Sequence, residues 1–410
     1  MTRSVSALSI VEQSMAMHAV WIALTVFVFI LPVGGTTALR HLMLAVLVCT
    51  LIWLFWHRRH WPDFPLLPPW LVYTGIALFS LIHAIDPHYS LAELKTEILL
   101  PFLTFWVAVN IVRDDKNMER FLFVLTCSAT FLIVFNLATA TLGGTTKDGL
   151  VGSLNSGVGT FSTYLVEVMP FLILLTAMKT GDGTTNTHIA IGLLVFAAMA
   201  ALFVTLNRQA FLALGAELTV IPLLSLTYLV RLPRRYWLAI FVLIAMVFSL
   251  FLVVFFRREP LVAETITPVL ASDPRWEAWK LSFVRLVDNC WVGGGFGIRT
   301  FQFLFPDLAS SSPFWHAHNF VLNKGIQMGL PGIAAFLWLI FSAPYQLFVA
   351  GKQNSRVGLV AVALIALTVG MFIKNMTDDF FYRDGSLLFW LLVGACLGYS
   401  QGIAKDGRDR

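Results

Sequence analysis

Apolar runs recur along almost the whole chain, and that recurrence restricts the fold more than any other feature. A helix needs roughly 20 mostly apolar residues to cross a membrane. Twelve such runs stand at about 18–34, 39–56, 69–85, 95–112, 120–142, 160–178, 188–206, 210–230, 237–256, 330–349, 357–374 and 385–401. Only 12% of the 410 residues are charged and the mean hydropathy is +0.79, too little charge to cover a soluble surface. The pattern predicts an all-α polytopic membrane protein with about 12 transmembrane helices. It divides into residues 1–256 with spans one to nine, a long loop at 257–329, and residues 330–410 with spans ten to twelve. The four cysteines are scattered without a CxxC, so no disulfide framework is expected.

Basic residues set the sidedness. His57-Arg58-Arg59-His60, Arg113 to Arg120, Lys179, Arg231 to Arg235, Lys352 to Arg356 and the tail with Lys405, Arg408 and Arg410 fall on one side of twelve spans. The positive-inside rule makes that side cytoplasmic, with both termini there. The other side should then be poor in Lys and Arg, yet Arg40, Lys95, Lys147, Arg208, Lys374 and Arg383 lie on it. So do Arg257, Arg258, Arg275, Lys280, Arg285 and Arg299 of the long loop. Asp378, Asp379 and Asp384 offer carboxylate partners to Lys374 and Arg383. Arg208 has none nearby in sequence and sits in a very short turn, a placement that favours function.

The long loop reads as a lid. Ser272-Asp273-Pro274 has the form of a helix start, with Asp273 as N-cap and Pro274 in the first turn. Trp276, Trp279, Phe283, Leu286 and Val287 follow at helical spacing, as in a helix lying in the membrane interface. Gly293, Gly294, Gly295 and Gly297 predict a tight turn with close backbone approach, either a plain turn or an anion nest, and a hinge for the lid. From His316 to Gln327 the chain reads as helix, with Asn319, Asn323 and Gln327 as a polar stripe, broken by Gly329-Leu330-Pro331-Gly332. His316-x-His318 is too sparse for a metal site alone, with Asp378 and Asp379 the candidates to complete one; the expectation is no metal. A neutral imidazole at His318 suits a base that takes a proton from a hydroxyl.

Asn207-Arg208-Gln209-Ala210, Asp273-Pro274-Arg275-Trp276, Gly293–Gly297 and Ala317-His318-Asn319 before the Gly-Leu-Pro-Gly bend together resemble the O-antigen ligase family. Its wider superfamily includes O-antigen polymerases and bacterial O-linked oligosaccharyltransferases. The shared region covers about residues 190–345. The resemblance implies a GT-C-type glycosyltransferase in the bacterial inner membrane with a periplasmic active site. Its donor would be a glycan on undecaprenyl diphosphate, and its acceptor a sugar hydroxyl of lipid A–core. It implies an inverting reaction without metal or other cofactor. His318 matches the functional histidine, and Arg208 and Arg275 the functional arginines, with Arg285 expected beside them on the diphosphate. The acidic residue is Asp378 or Asp379. Asn319, His316, Arg40 and Lys95 are expected to support the site.

The chemistry agrees with that pattern. A leaving diphosphate gains charge in the transition state, and guanidinium forks stabilise it. The expected partners are the lipid-linked glycan, lipid A–core and membrane lipids, and no nucleic acid. A protein of the same superfamily with another acceptor is the nearest rival. A lipid or solute transporter is the rival of a different class, but no repeat is visible and the charges gather at one face.

Overall fold

The computed structural model describes residues 10–58, 61–143, 145–146, 149–150, 154, 157–178, 185–226, 234–258, 275–311 and 315–406. The expected helix start at Ser272–Pro274, and Arg59, His60, Lys147, Lys179, Arg231, Arg408 and Arg410, lie outside the described residues.

The helices are, in chain order, α1 (Ile10–Ile30), α2 (Thr37–Arg58), α3 (Leu67–Ser80), α4 (Pro87–Leu94), α5 (Leu100–Ile111), α6 (Asp115–Thr141), α7 (Val158–Met178) and α8 (Thr185–Thr205). After them come α9 (Arg208–Leu226), α10 (Arg234–Arg258), α11 (Arg275–Asp288), α12 (Thr300–Leu304), α13 (Pro306–Ser311), α14 (Phe320–Gly351), α15 (Ser355–Asn375) and α16 (Arg383–Asp406). A single π-turn, Lys95–Leu99, joins α4 to α5. The described strands are the two-residue pair Thr145–Thr146 and Gly149–Leu150.

Each of the twelve apolar runs has most of its described residues on a helix, so the all-α polytopic architecture holds. Among the described residues, eight helices are long and apolar enough to cross a membrane and three more are apolar but shorter, against the twelve spans expected. The 95–112 run does not span alone: it joins α4 through the π-turn into one segment, Pro87–Ile111.

Glycine spacing sets the tightest helix contact. Gly394, Gly398 and Gly402 of α16 each lie against a backbone carbonyl of α5 or of the turn just after it, at Phe105, Val109 and Arg113 respectively, where a Cβ would overlap the oxygen. Three glycines four residues apart clear one stripe of the helix and let the two backbones meet, which is how helices associate where lipid removes the hydrophobic drive. Elsewhere α15 packs on α7, α9 and α14, and α3 and α11 both pack on α14.

The expected segment boundary at 329 falls inside a helix. α14 begins at Phe320 and runs to Gly351, with one non-helical residue, Gly329 (φ 70°, ψ −169°). The expected Gly-Leu-Pro-Gly break is thus a kink within α14, and its cause can be read from the chain. Pro331 has no N–H to return to Gln327, and the Leu330 N–H turns away to the Cys290 carbonyl at 2.7 Å. That leaves the Ile326 and Gln327 carbonyls without their helical donors.

Candidate active site

The glycine run supplies those donors. The Gly294 N–H donates to Ile326 O at 2.7 Å, and the Gly295 N–H to Gln327 O at 3.2 Å. Gly293 lies against the Gln327 backbone, Gly295 against Ala84 and Ser90, and Gly297 against Tyr89 and Glu93, each too close for a Cβ. Gly295 and Gly297 also take φ values of 114° and 116°, which side chains rarely adopt. The expected turn with close backbone approach is there. The anion nest is not, because the Gly294 and Gly295 N–H groups are committed to α14. Nor is the run a hinge: it is a clasp, and opening it would strip two carbonyls of their hydrogen bonds.

A buried ion pair continues the clasp. Glu97, in the π-turn, accepts from the Ile298 N–H at 3.3 Å and from Lys324 Nζ at 2.9 Å. Lys324 also lies over the Phe296 and Phe336 rings at 5.1 and 5.3 Å. Neither Glu97 nor Lys324 stands out in the sequence as a partner for the other.

With α14 fixed, three turns meet at its start. Helix α14 begins one residue past Asn319, which caps it by accepting from the Leu322 N–H at 3.0 Å. The helix therefore does not open at His316 as expected; His316, Ala317 and His318 form a turn before it. His318 is left-handed (φ 49°), a strained choice that marks functional sites. Asn319 Nδ2 donates to the Met376 carbonyl at 2.9 Å, joining this turn to the one after α15. Gln209 Nε2 donates to the Thr377 carbonyl at 3.2 Å, joining the Arg208 turn to the same place. Trp279 Nε1 of α11 donates to the His318 carbonyl at 3.4 Å.

The two histidines share one carboxylate. Asp378 Oδ1 lies 3.3 Å from His318 Nδ1 and 3.5 Å from His316 Nε2, and the two rings sit 3.9 Å apart. The His318 N–H donates to His316 Nδ1 at 3.0 Å, which assigns the His316 proton to Nε2, toward Asp378. Burial, with His318 and the Arg275 charge nearby, pushes His316 down to about 3, so it is neutral at pH 7. Burial alone would raise Asp378, but the hydrogen bond from His318 and the Lys374 charge outweigh it and hold the carboxyl at about 2. A carboxylate at His318 Nδ1 keeps a proton on that nitrogen and directs the lone pair to Nε2.

The open alternative between the two acids resolves by position. Asp378 faces the histidines. Asp379 is buried and turned the other way, accepting from Asn323 Nδ2 at 2.8 Å and from the Phe381 N–H at 3.1 Å. Burial pushes it up to about 6, against the pull of Lys324.

The basic residues separate likewise. Arg208 is half-buried at the first position of α9, beside the Thr377 turn. Arg275 begins α11 and acts on His316 through its charge. Arg285 stands ten residues further along α11, about 15 Å of helix rise away, so the structure does not bring it to the histidines. Arg40 is buried and donates to the Leu31 carbonyl at 3.1 Å and to Thr37 Oγ1 at 3.2 Å, which places it at the α1–α2 corner. Lys95 is exposed, on an apolar groove with Trp70, Leu71 and Phe102. On α11 the apolar face splits: Ala278, Ser282 and Leu286 turn inward, while Trp276, Phe283 and Val287 are exposed.

His316, His318 and Asp378 lie close enough to invite a metal reading, their ligand atoms all within 4.8 Å of one another. The donors do not fit it. A ligand nitrogen must present a lone pair, and the backbone bond to His316 Nδ1 leaves its Nε2 protonated. Two ligands remain, fewer than a zinc site needs.

Sequence reasoning saw Asn323 in the polar stripe and Trp279 on the interfacial helix but placed neither at the site, and it missed the Lys324–Glu97 pair, whose two members come from distant parts of the chain.

Residues 193–337 match the model of a family described as O-antigen ligase, and the match supports membership of the O-antigen ligase superfamily. It contains Arg208, Arg275, Arg285, His316, His318 and Asn319, and leaves Arg40, Lys95, Asp378 and Asp379 outside. No curated protein matches the chain.

Proposed function

We propose that this member of the O-antigen ligase superfamily moves a glycan from undecaprenyl diphosphate to a sugar hydroxyl of lipid A–core. The reading places it in the bacterial inner membrane as a GT-C-type enzyme, with the histidine turn at the periplasmic face. The observation that carries the proposal is His318 with Nδ1 against Asp378, between turns that present Arg208 and Arg275.

His318 Nε2 takes the proton of the acceptor hydroxyl as its oxygen attacks the anomeric carbon. The bond from that carbon to the diphosphate oxygen breaks, the configuration inverts, and the diphosphate leaves with the electron pair. Asp378 stabilises the imidazolium so formed. Arg208 and Arg275 neutralise the charge that grows on the leaving group, most strongly in the transition state. The protein uses no metal, in keeping with the donor set at His316.

The test is transfer by the purified protein from a lipid-diphosphate glycan, with core lipid, a second lipid-linked glycan and a peptide offered in parallel. Transfer to core lipid in EDTA is the expected result. Transfer only to lipid-linked glycan or to peptide would assign the chain to the polymerase or O-oligosaccharyltransferase branch. No transfer to any of the three would end the reading.

A further inference from the structure

The histidine turn and the acidic turn are bridged by one amide. Asn323 is fully buried on the first turn of α14. Its Oδ1 accepts from the Ala317 N–H at 2.9 Å, the residue between the two histidines. Its Nδ2 donates to Asp379 Oδ2 at 2.8 Å, the residue after the carboxylate that both histidines face. An amide is the side chain that can do both, since it carries an acceptor and a donor on one rigid plane. Asn319 and Gln209 tie the turns only at their backbones; Asn323 fixes the two units on either side of the His318–Asp378 contact.

We propose that Asn323 is a positioning residue that sets the His318–Asp378 geometry by gripping Ala317 and Asp379 together. This rests on the proposed role of His318 as base. The charged and titratable groups facing Asp379 are Lys324 on α14, Glu97 from the π-turn and Tyr73 from α3, while the adjacent Asp378 turns to the histidines. Lys324 is engaged by Glu97, so Asn323 is the neutral side-chain donor on Asp379, beside the Phe381 backbone N–H.

The test uses the full-length protein in detergent and the transfer assay, with three variants. Asn323→Ala is expected to lower kcat by about 10- to 100-fold, as a misplacement of order 1 Å does, with donor KM nearly unchanged. Asn323→Asp keeps the acceptor for Ala317 but sets a carboxyl against Asp379. Near pH 8 it should be as slow as the alanine variant. Protonating either carboxyl restores a donor between them, so as pH falls from 8 its kcat should recover relative to that of the alanine variant at the same pH. The wild type should show no such recovery.

Wild-type kcat and pH profile in both variants, with His318→Ala inactive, would overturn the positioning role and leave the base intact. A folded Asn323→Asp with no recovery on the acid side would overturn it too. An active His318→Ala removes the parent reading instead. Should the Asn323 variants fail to fold, hydrogen exchange in the unaltered protein decides: slow exchange at the Ala317 amide is expected, and exchange as fast as at Trp315 refutes the bridge.

Discussion

The two ends of α15 hold their acids in opposite ways. At the Ser355 end Asp115 pairs with Arg356 and accepts from the Tyr399 hydroxyl at 2.6 Å, while Asp63 pairs with Arg113 and, at 3.2 Å, with Lys405. The Arg356 and Asp115 side chains are 66% and 44% exposed. About 30 Å along the helix, Asp378 and Asp379 face imidazoles, an amide and backbone N–H groups, with the buried Lys374 and Lys324 acting on them through charge, all largely out of water. The Ser355 end has an open cavity of about 660 Å³, lined by Asp114, Asp115, Lys116 and Arg356 among others. Its charges neutralise one another on long side chains that salt can screen. The Asn375 end holds its acids with short directional donors, and fixed geometry is what catalysis requires. The commitment of buried polar groups, rather than open volume, marks the proposed site.

The comparison breaks most visibly at His318. His318→Ala should cut transfer by about 10²- to 10⁴-fold while the thermal unfolding midpoint in detergent stays close to wild type. Near-full activity would make the Asn375 end as inert as the other. Next come Asp378→Asn, and lysine at Arg208 or Arg275. Each should lose at least about 10-fold, since lysine cannot reproduce the planar fork on a diphosphate, whereas Asp379→Asn should cost less than Asp378→Asn. Equal rates for lysine and arginine would sink the diphosphate role.

The third prediction is a pH response. His316 falls from an ordinary 6.5 to about 3 in the fold, so the unfolded chain binds its proton more readily. The stability it contributes is full above pH 6.5 and is lost as pH falls from there toward 3. Asp379, raised to about 6, acts in the opposite sense, and its contribution is lost as pH rises from about 4 through 6. Unfolding midpoints of His316→Gln should lose the acid-side fall; an unchanged curve would remove His316 from the account. The smallest effect belongs to the exposed end. Arg356→Ala should change stability by no more than ~0.5 kcal/mol and activity by less than about twofold, and a larger loss of activity would erase the contrast between the ends.

How much of this was legible in the chain depends on the range of the interaction. Apolar periodicity is local, so the helices and the Gly329 break were visible. The convergence of Arg208, Arg275, His318 and Asp378 was legible only as residue types on one predicted side. Sidedness cannot separate Arg40, which caps a helix corner, or Arg285, which lies too far along α11, from arginines that reach the turn. Glycines announced close approach without saying to what, so a clasp on α14 read equally well as a nest or a hinge. Lys324 and Glu97 are 227 positions apart, and no local pattern pairs them. The choice between Asp378 and Asp379 needed the direction of two adjacent side chains in a turn, where no helical or strand period applies.

The π-turn at Lys95–Leu99 gives the chain a length marker. Such a turn holds one residue more than regular winding needs. Deleting that residue would rotate α4 by about 100° and carry Tyr89 and Ser90 away from Gly297 and Gly295. Among relatives, a one-residue gap here should therefore travel with loss of those two glycines, and chains that keep the clasp should keep the insertion. Helix length and loop glycines are then inherited as one unit.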